Sequence, residues 1–512
     1  MTQTSTDPAR AAWRAALAIT AALTAVRLVA IFVTPLELYP DEAQYWLWSR
    51  TLDFGYFSKP PMVAWGIWAT TALGGDSEPF VRLSAPLFQA AAALFVFLIG
   101  RRLYGAQAGL AACALYLLTP GVQLSAAVVA TDAALLCFLS GALAAYVFLP
   151  QTDGLRRLVA AAGAGGLLGL AFLSKYAAVY ALIGVALHLV VDREARKVWS
   201  PGSIAAALGA LLLVLTPNLV WNAAHGFSTV QHTAANANWS AASLFNPGEL
   251  LDYLASQFGV FGPIPFAVLA GGGVVLALRR RLTRQDLLLL CFAAPPMIIV
   301  AVQALISRAN ANWAAAGYAA GVVLVAAWLL RWRARGWYIG ALATQGLVAA
   351  LFLAFVLSPP LADRMGMANS FKRAKGWSQL TQALTDRAMH DLSLDAIAVD
   401  DRFMFNAAAY YGRDYFARPD AAPLRMWVRT AHPQNQAEAE APLAETEAGR
   451  ILAMSLEPDF TPEMKADFRA VSDNELVNVR LDSERSRRAE LFVAEGYERR
   501  PRDPLTGLPT PP

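Results

Sequence analysis

The feature that most constrains this chain is a series of apolar runs, each near the ~20 residues that a helix needs to cross the hydrocarbon core of a bilayer. They fall at about 11–34, 80–100, 107–120, 132–149, 158–174, 176–191, 203–220, 255–278, 286–306, 313–330 and 337–357. The pattern predicts a polytopic α-helical membrane protein with about eleven transmembrane helices. Composition agrees: 56% of residues are hydrophobic and 16% are charged, whereas soluble domains carry charge on about a quarter of theirs. A soluble multidomain protein is excluded, and nothing in the pattern points to a nucleic-acid partner.

Short cytoplasmic loops attract Lys and Arg, so the basic residues orient the spans. Arg101-Arg102, Arg156-Arg157, Arg193 with Arg196 and Lys197, Arg279 to Arg281 with Arg284, and Arg331 with Arg333 and Arg335 all follow even-numbered spans. With Arg10 and Arg14, 16 of the 22 basic residues before position 358 fall on one face. This predicts a multi-pass membrane protein with a cytoplasmic N-terminus. An odd number of spans then places the C-terminal part outside. The first span is long, lacks a small-residue cleavage site and reads as a retained signal anchor. Cys113, Cys137 and Cys291 lie in predicted spans without metal-type spacing and read as packing residues.

Residues 1–357 form the membrane body, with an outer-face loop over 35–79. Residues 358–512 hold 20 basic and 24 acidic residues and read as a soluble domain. Strand-like runs at Ala396 to Val399, Arg425 to Val428 and Ile451 to Ser455 alternate with helical Phe371 to Met389 and Phe403 to Tyr411. This predicts a small α/β fold, with a Pro-rich end after Arg499 that is disordered. Asp400-Asp401 and Tyr410-Tyr411 take turn and packing roles.

Few basic residues remain for the outer face: Arg50, Lys59, Arg82, Lys175 and Arg308. Positive charge there opposes the topological bias, which makes an anionic ligand worth weighing for Lys59, Lys175 and Arg308, whereas Arg50 and Arg82 read as partners of nearby acids. Asp41 and Glu42 follow Pro40. Carboxylates in a first helical turn are a helix-start signal as readily as a catalytic one. Adjacent positions on a helix diverge by about 100°, so the two acids do not serve one atom as a facing pair. Asp132 opens the otherwise apolar fourth span, where an N-cap explains it as well as a site does. Arg27, midway along the first span, reads as a structural partner. The stretch 221–250 carries His225, His232, Asn236, Asn238 and Trp239, a polar and aromatic surface suited to sugar contact. Two histidines seven residues apart are too loose for a metal pair without a third ligand.

The order of these motifs carries a resemblance. Asp41-Glu42, Phe57-Ser58-Lys59-Pro60-Pro61, Thr131-Asp132 and Leu173-Ser174-Lys175 together resemble the polyprenyl-phosphate-dependent glycosyltransferases of the GT-C type. The nearest branch contains the lipid A aminoarabinose transferases and relatives of protein O-mannosyltransferases. The resemblance covers roughly residues 15–330 and is most specific over 38–103. It implies an enzyme of the bacterial inner membrane, its C-terminal domain in the periplasm, that transfers a sugar from a polyprenyl-phosphate donor to a lipid, glycan or protein acceptor at the outer face. It implies catalytic roles for Asp41 and Asp132 and a contact between Lys59 and the donor phosphate. Ser58 stands where aminoarabinose transferases carry Glu, which removes one metal ligand. Carboxylates suit Mg²⁺ or Ca²⁺, but no ligand set is complete and no cofactor is assigned.

Displacing a phosphate from an anomeric carbon requires stabilisation of the leaving phosphate and of an oxocarbenium-like centre. Lys59, with Lys175 or Arg308, meets the first need. Asp41 meets the second, or serves as base toward a hydroxyl acceptor, with Glu42 positioning the turn. Tyr56 and His225 complete the expected substrate contacts. The rival reading is a flippase of lipid-linked sugars. Transporters place polar groups at mid-membrane in repeated halves, whereas here they gather at one face without an internal repeat.

Overall fold

The computed structural model describes residues 8–235, 237–238, 244–447 and 449–510. It divides into two compact units, one formed by residues up to Val33 together with Asp53–Ala354, the other by Thr34–Leu52 together with Phe355 onward.

The first unit is helical. Among the described residues of the chain, eight helices are long and apolar enough to cross a membrane, from Pro8–Val33 to Arg335–Leu357. The predicted span at 107–120 is one arm of a bent pair, Ala106–Leu118 and Pro120–Ala127, which meet at 58°. Pro120 has no N–H to continue the ladder. The bend leaves the Leu117 carbonyl open, and Arg27 and Gln123 both donate to it at 2.6 Å. Arg27 is therefore the structural partner that its position suggested.

The predicted run 255–278 is likewise not one helix. Pro247–Val260 ends at Phe261, and Pro263–Leu278 follows as a shorter apolar helix. Gly262 adopts φ +105, and a Cβ there would lie 2.6 Å from Gln345 Nε2. That amide donates to the Phe261 carbonyl at 3.1 Å, so the break is closed by a side chain from another helix. Within the expected loop 35–79, Met62–Gly74 is also an apolar helix.

The second unit is built on a five-stranded sheet: β1 Leu394–Val399, β2 Leu424–Met426, β3 Arg450–Ser455, β4 Phe468–Arg480 and β5 Ser486–Tyr497. The order is β2-β1-β3-β5-β4, with β1 parallel to β2 and β3, and β5 antiparallel to β3 and β4. Alternation sorts the buried residues onto two faces. Ile397 and Val399 join Leu380, Leu384 and Met404, whereas Ala396 and Ala398 join Trp427, Phe492 and Tyr497.

The α/β reading of the tail holds, and the β4–β5 hairpin was missed. Its strand β4 is mostly exposed, and the polar stretch Ser472-Asp473-Asn474-Glu475 hides it from a hydrophobic-period reading. The C-terminal end departs from the expected disorder. Arg500 and Arg502 pair with the fully buried carboxylate of Asp467, and Asp503 accepts from Leu505 and Thr506 N–H.

Residues 34–52 are stitched to this second unit. Glu37 accepts from the N–H groups of Trp377 and Ser378 and from the Ser378 hydroxyl. Leu38 N–H donates to Tyr411 OH at 2.7 Å, and Trp46 meets Tyr410 edge to face at 4.9 Å. Tyr410 and Tyr411 thus have packing roles, while Asp401 caps helix Arg402–Tyr411 through Phe403 and Met404 N–H.

Candidate active site

In the first unit, three separate elements meet around Asp132. Helix Thr131–Phe148 starts after Ala130, and no side chain caps it. Asp132 is thus spent on tertiary bonds rather than on its own helix. Oδ1 receives Lys175 Nζ at 2.8 Å and Oδ2 receives Asn312 Nδ2 at 3.0 Å. Lys175 stands between helix Gly154–Ser174 and the turn Tyr176–Ala178, with φ −163, so an extended residue projects its ammonium where two helices break. Asn312 lies in the 3-10 turn Ala311–Gly317 that follows the long helix Arg284–Ile306. The side chains of Lys175 and Asp132 are 23% and 13% exposed, a partly desolvated pair in which charge is worth more than in water.

The loop that carries Lys59 is clamped from several sides. Asn218 Nδ2 donates to the Phe54 carbonyl at 2.6 Å, and Trp221 Nε1 to Asp53 Oδ2 at 2.7 Å. Thr229 donates to the Tyr56 carbonyl at 2.7 Å. Gly55 lies flat against Trp221, where a Cβ would approach the ring to 2.3 Å. Tyr56 N–H donates to the Lys59 carbonyl at 3.1 Å, which closes the turn. Tyr176, the neighbour of Lys175, donates to Asn218 Oδ1 at 3.0 Å and receives Asn222 Nδ2 at 3.0 Å. A continuous hydrogen-bonded path therefore runs from the Lys175 junction through Asn218 to the Lys59 loop.

The other predicted residues are distributed as follows. Tyr56 is buried, and its hydroxyl receives Asp53 N–H. His225 ends helix Pro201–Ala224, bonds the Trp221 carbonyl through Nδ1 and stacks on that indole at 4.1 Å. His232 lies edge-on to Phe57, and Asn236 and Trp239 lie outside the described residues. Arg308 is exposed, and its carbonyl receives Gln303 Nε2. Asp41 and Glu42 belong to the second unit, in the first turn of helix Pro40–Arg50. Glu42 is fully buried and takes Tyr39 N–H at 2.8 Å, whereas Asp41 is half-buried.

Asn312, Asn218 and Tyr176 were not among the predicted site residues. A signal existed for Asn218, a buried amide that follows Pro217 inside an apolar helix. Asn312 had none beyond its place in a polar turn. Among the described residues, no group of three His, Cys, Asp or Glu stands where it could hold a metal ion. An ammonium and an amide around Asp132 are a donor set that does not suit a dication.

An apolar cavity of about 450 Å³ lies in the same unit. Tyr180 and Ala316, each within a few residues of Lys175 or Asn312 in sequence, are among its lining residues. Leu143, Leu168, Leu211 and Trp199 also line it.

Residues 58–221 match the family model described as dolichyl-phosphate-mannose-protein mannosyltransferase. Over 450 residues the chain is 35% identical to the lipid A galacturonosyltransferase RgtD of Rhizobium johnstonii, an alignment covering 86% of this chain and 91% of that protein. The fold matches crystal structures of ArnT from Cupriavidus metallidurans. The apo form aligns with a TM-score of 0.65 at 16% identity, covering 93% of this chain and 97% of that one. The form bound to undecaprenyl phosphate aligns with a TM-score of 0.64 at 17% identity, covering 97% and 99%. On sequence identity sustained along nearly the whole chain, with a GT-C fold to match, the protein belongs to the membrane glycosyltransferase family that includes RgtD.

Proposed function

We propose that this enzyme moves a sugar from a polyprenyl-phosphate donor onto lipid A at the outer face of the inner membrane, with inversion at the anomeric carbon. The observation that carries the reading is the Asp132–Lys175–Asn312 cluster, in a unit that also holds an apolar cavity. An ammonium has three donors. Asp132 takes one from Lys175, which leaves donors for a phosphate oxygen as the C–O bond to the anomeric carbon breaks. Lys59, on the loop tied to the same junction, supplies a second cation toward that phosphate. The apolar cavity suits isoprenyl units of the donor. Asp41 stabilises the oxocarbenium-like centre or accepts the proton of an attacking hydroxyl. Glu42 holds the helix start rather than the substrate, consistent with its burial and its bond to Tyr39 N–H. Tyr56, His225 and Arg308 frame the substrate from the surrounding loops.

Lipid A as acceptor, and galacturonic acid as the first sugar to try, follow from the activity named for RgtD. The cytoplasmic N-terminus and periplasmic C-terminal domain follow from the alternation of basic turns. The test is reconstitution with radiolabelled polyprenyl-phosphate sugar and lipid A. Label should enter lipid A with the natural protein and fail to do so with Asp41→Asn. Movement of label across the bilayer without transfer would sink the proposal, and transfer to a different envelope acceptor would replace lipid A.

A further inference from the structure

A second cavity, of about 270 Å³, lies among the turns that carry the basic residues. Arg102 at the end of helix Ser84–Tyr104, Tyr146 of Thr131–Phe148, His188 and Asp192 at the end of Val179–Val191, and Arg284 at the start of Arg284–Ile306 all line it. These helix ends are the opposite ones from those that carry Asp132 and Lys175.

Its polar groups are unevenly satisfied. Asp192 is fully used: Oδ1 accepts from Glu194 and Ala195 N–H, and Oδ2 pairs with Arg284. His188 is 4% exposed and bonds Tyr146 OH through Nδ1 at 2.8 Å. Its Nε2 stands 3.5 Å from Asp192 Oδ2 and makes no hydrogen bond among the described residues. Arg102 Nε is buried and also lacks a partner there. A buried donor left unmet is destabilising, so two of them lining one cavity favour a ligand rich in acceptors. Two arginines against one carboxylate leave the wall net positive, and a guanidinium fork matches phosphate geometry. Tyr146 and Trp199 also line the apolar cavity, so apolar surface adjoins the polar pocket.

We propose that this pocket holds the phosphate of an anionic phospholipid from the leaflet that faces the basic turns, with Arg102 and His188 as donors and an acyl chain against Tyr146 and Trp199. The phosphate-binding end lies at the opposite helix ends from Asp132 and Lys175, only its apolar wall at Tyr146 and Trp199 is shared with the cavity assigned to the donor, and the proposal stands whether or not lipid A is the acceptor.

Native mass spectrometry of the full-length protein, offered equal phosphatidylglycerol and phosphatidylcholine, tests it. The natural protein should retain phosphatidylglycerol preferentially. Losing one charge-assisted bond in Arg102→Gln should weaken that retention about tenfold, and Arg102→Lys should restore part of it. A thermal shift with inorganic phosphate alone, absent in Arg102→Gln and unaccompanied by lipid selection, would support the phosphate pocket while replacing the lipid by the free ion. Equal retention of both lipids by the natural protein, with no phosphate effect, would overturn the proposal without relying on any variant. Undiminished phosphatidylglycerol retention by a folded Arg102→Gln would overturn it as well.

Discussion

At the residue scale, Asp132 shows how one carboxylate changes meaning with its partners. As a sequence position it reads equally well as a helix cap or as a site acid. Its bonds to Lys175 and Asn312 remove the cap reading, because both oxygens are engaged across the bundle. Replacing Lys175 with Met should keep the fold and lower the transfer rate by about 10²–10³, the usual loss when one preorganised charge is removed. A turnover within a few fold of the natural protein would remove Lys175 from the phosphate role. In the second unit, burial pushes the Asp400 carboxyl up to about 6, helped by the charge of Asp401 and opposed by bonds from Ser455 OH and Leu456 N–H. The native state therefore keeps a proton that the unfolded chain releases near pH 4, and stability falls as pH rises from about 4 to 6. The effect is on the order of 1–3 kcal/mol. Thermal unfolding of the full-length protein across this window should show the slope, and Asp400→Asn should flatten it. Equal slopes would exclude Asp400 as the titrating group.

At the element scale, helix ends do the positioning, and their tertiary bonds set the consequences of substitution. Asp286, fully buried at the start of Arg284–Ile306, accepts from Arg331, Tyr104 OH, Trp328 Nε1 and Thr283 N–H. Asp286→Ala leaves a cation and three donors without their acceptor and should cost about 3–5 kcal/mol, visible as a lower unfolding temperature in detergent. A change below 1 kcal/mol would mean that water replaces the carboxylate there. Gly55 offers the complementary case. A methyl group would strike the Trp221 ring, so Gly55→Ala should displace the Lys59 loop and raise the apparent KM for donor more than it alters thermal stability. An unchanged KM would show that the loop tolerates the shift. The apolar spans were legible because each hides its backbone within one segment. The breaks at Pro120 and Gly262 were not, because their open carbonyls are closed by Arg27 and Gln345, residues distant in sequence.

At the scale of the whole molecule, the chain is two folding units whose sequence segments interleave. Residues 34–52 complete the domain that begins again at Phe355. Trp46 is 5% exposed there, and burying a Trp of about 150–250 Å² is worth on the order of 4–6 kcal/mol at about 25 cal/mol/Å². Residues 355–512 expressed alone should therefore be destabilised and regain stability when a peptide of residues 34–52 is added. An isolated domain that melts at the same temperature with and without the peptide would show that the segment is dispensable. The sequence by itself determined the membrane class, the grouping of basic turns, the α/β character of the tail and the order of family motifs. All of these depend on composition and short-range periodicity. Tertiary structure alone decided that Asp132 pairs with Lys175 and Asn312, that Tyr176 and Asn218 tie the Lys59 loop to that junction, and that residues 34–52 complete a domain formed mainly by the far end of the chain. Each of those outcomes rests on contacts between positions tens to hundreds of residues apart, where a hydrogen bond or a buried ring is defined by packing and leaves no local pattern to read.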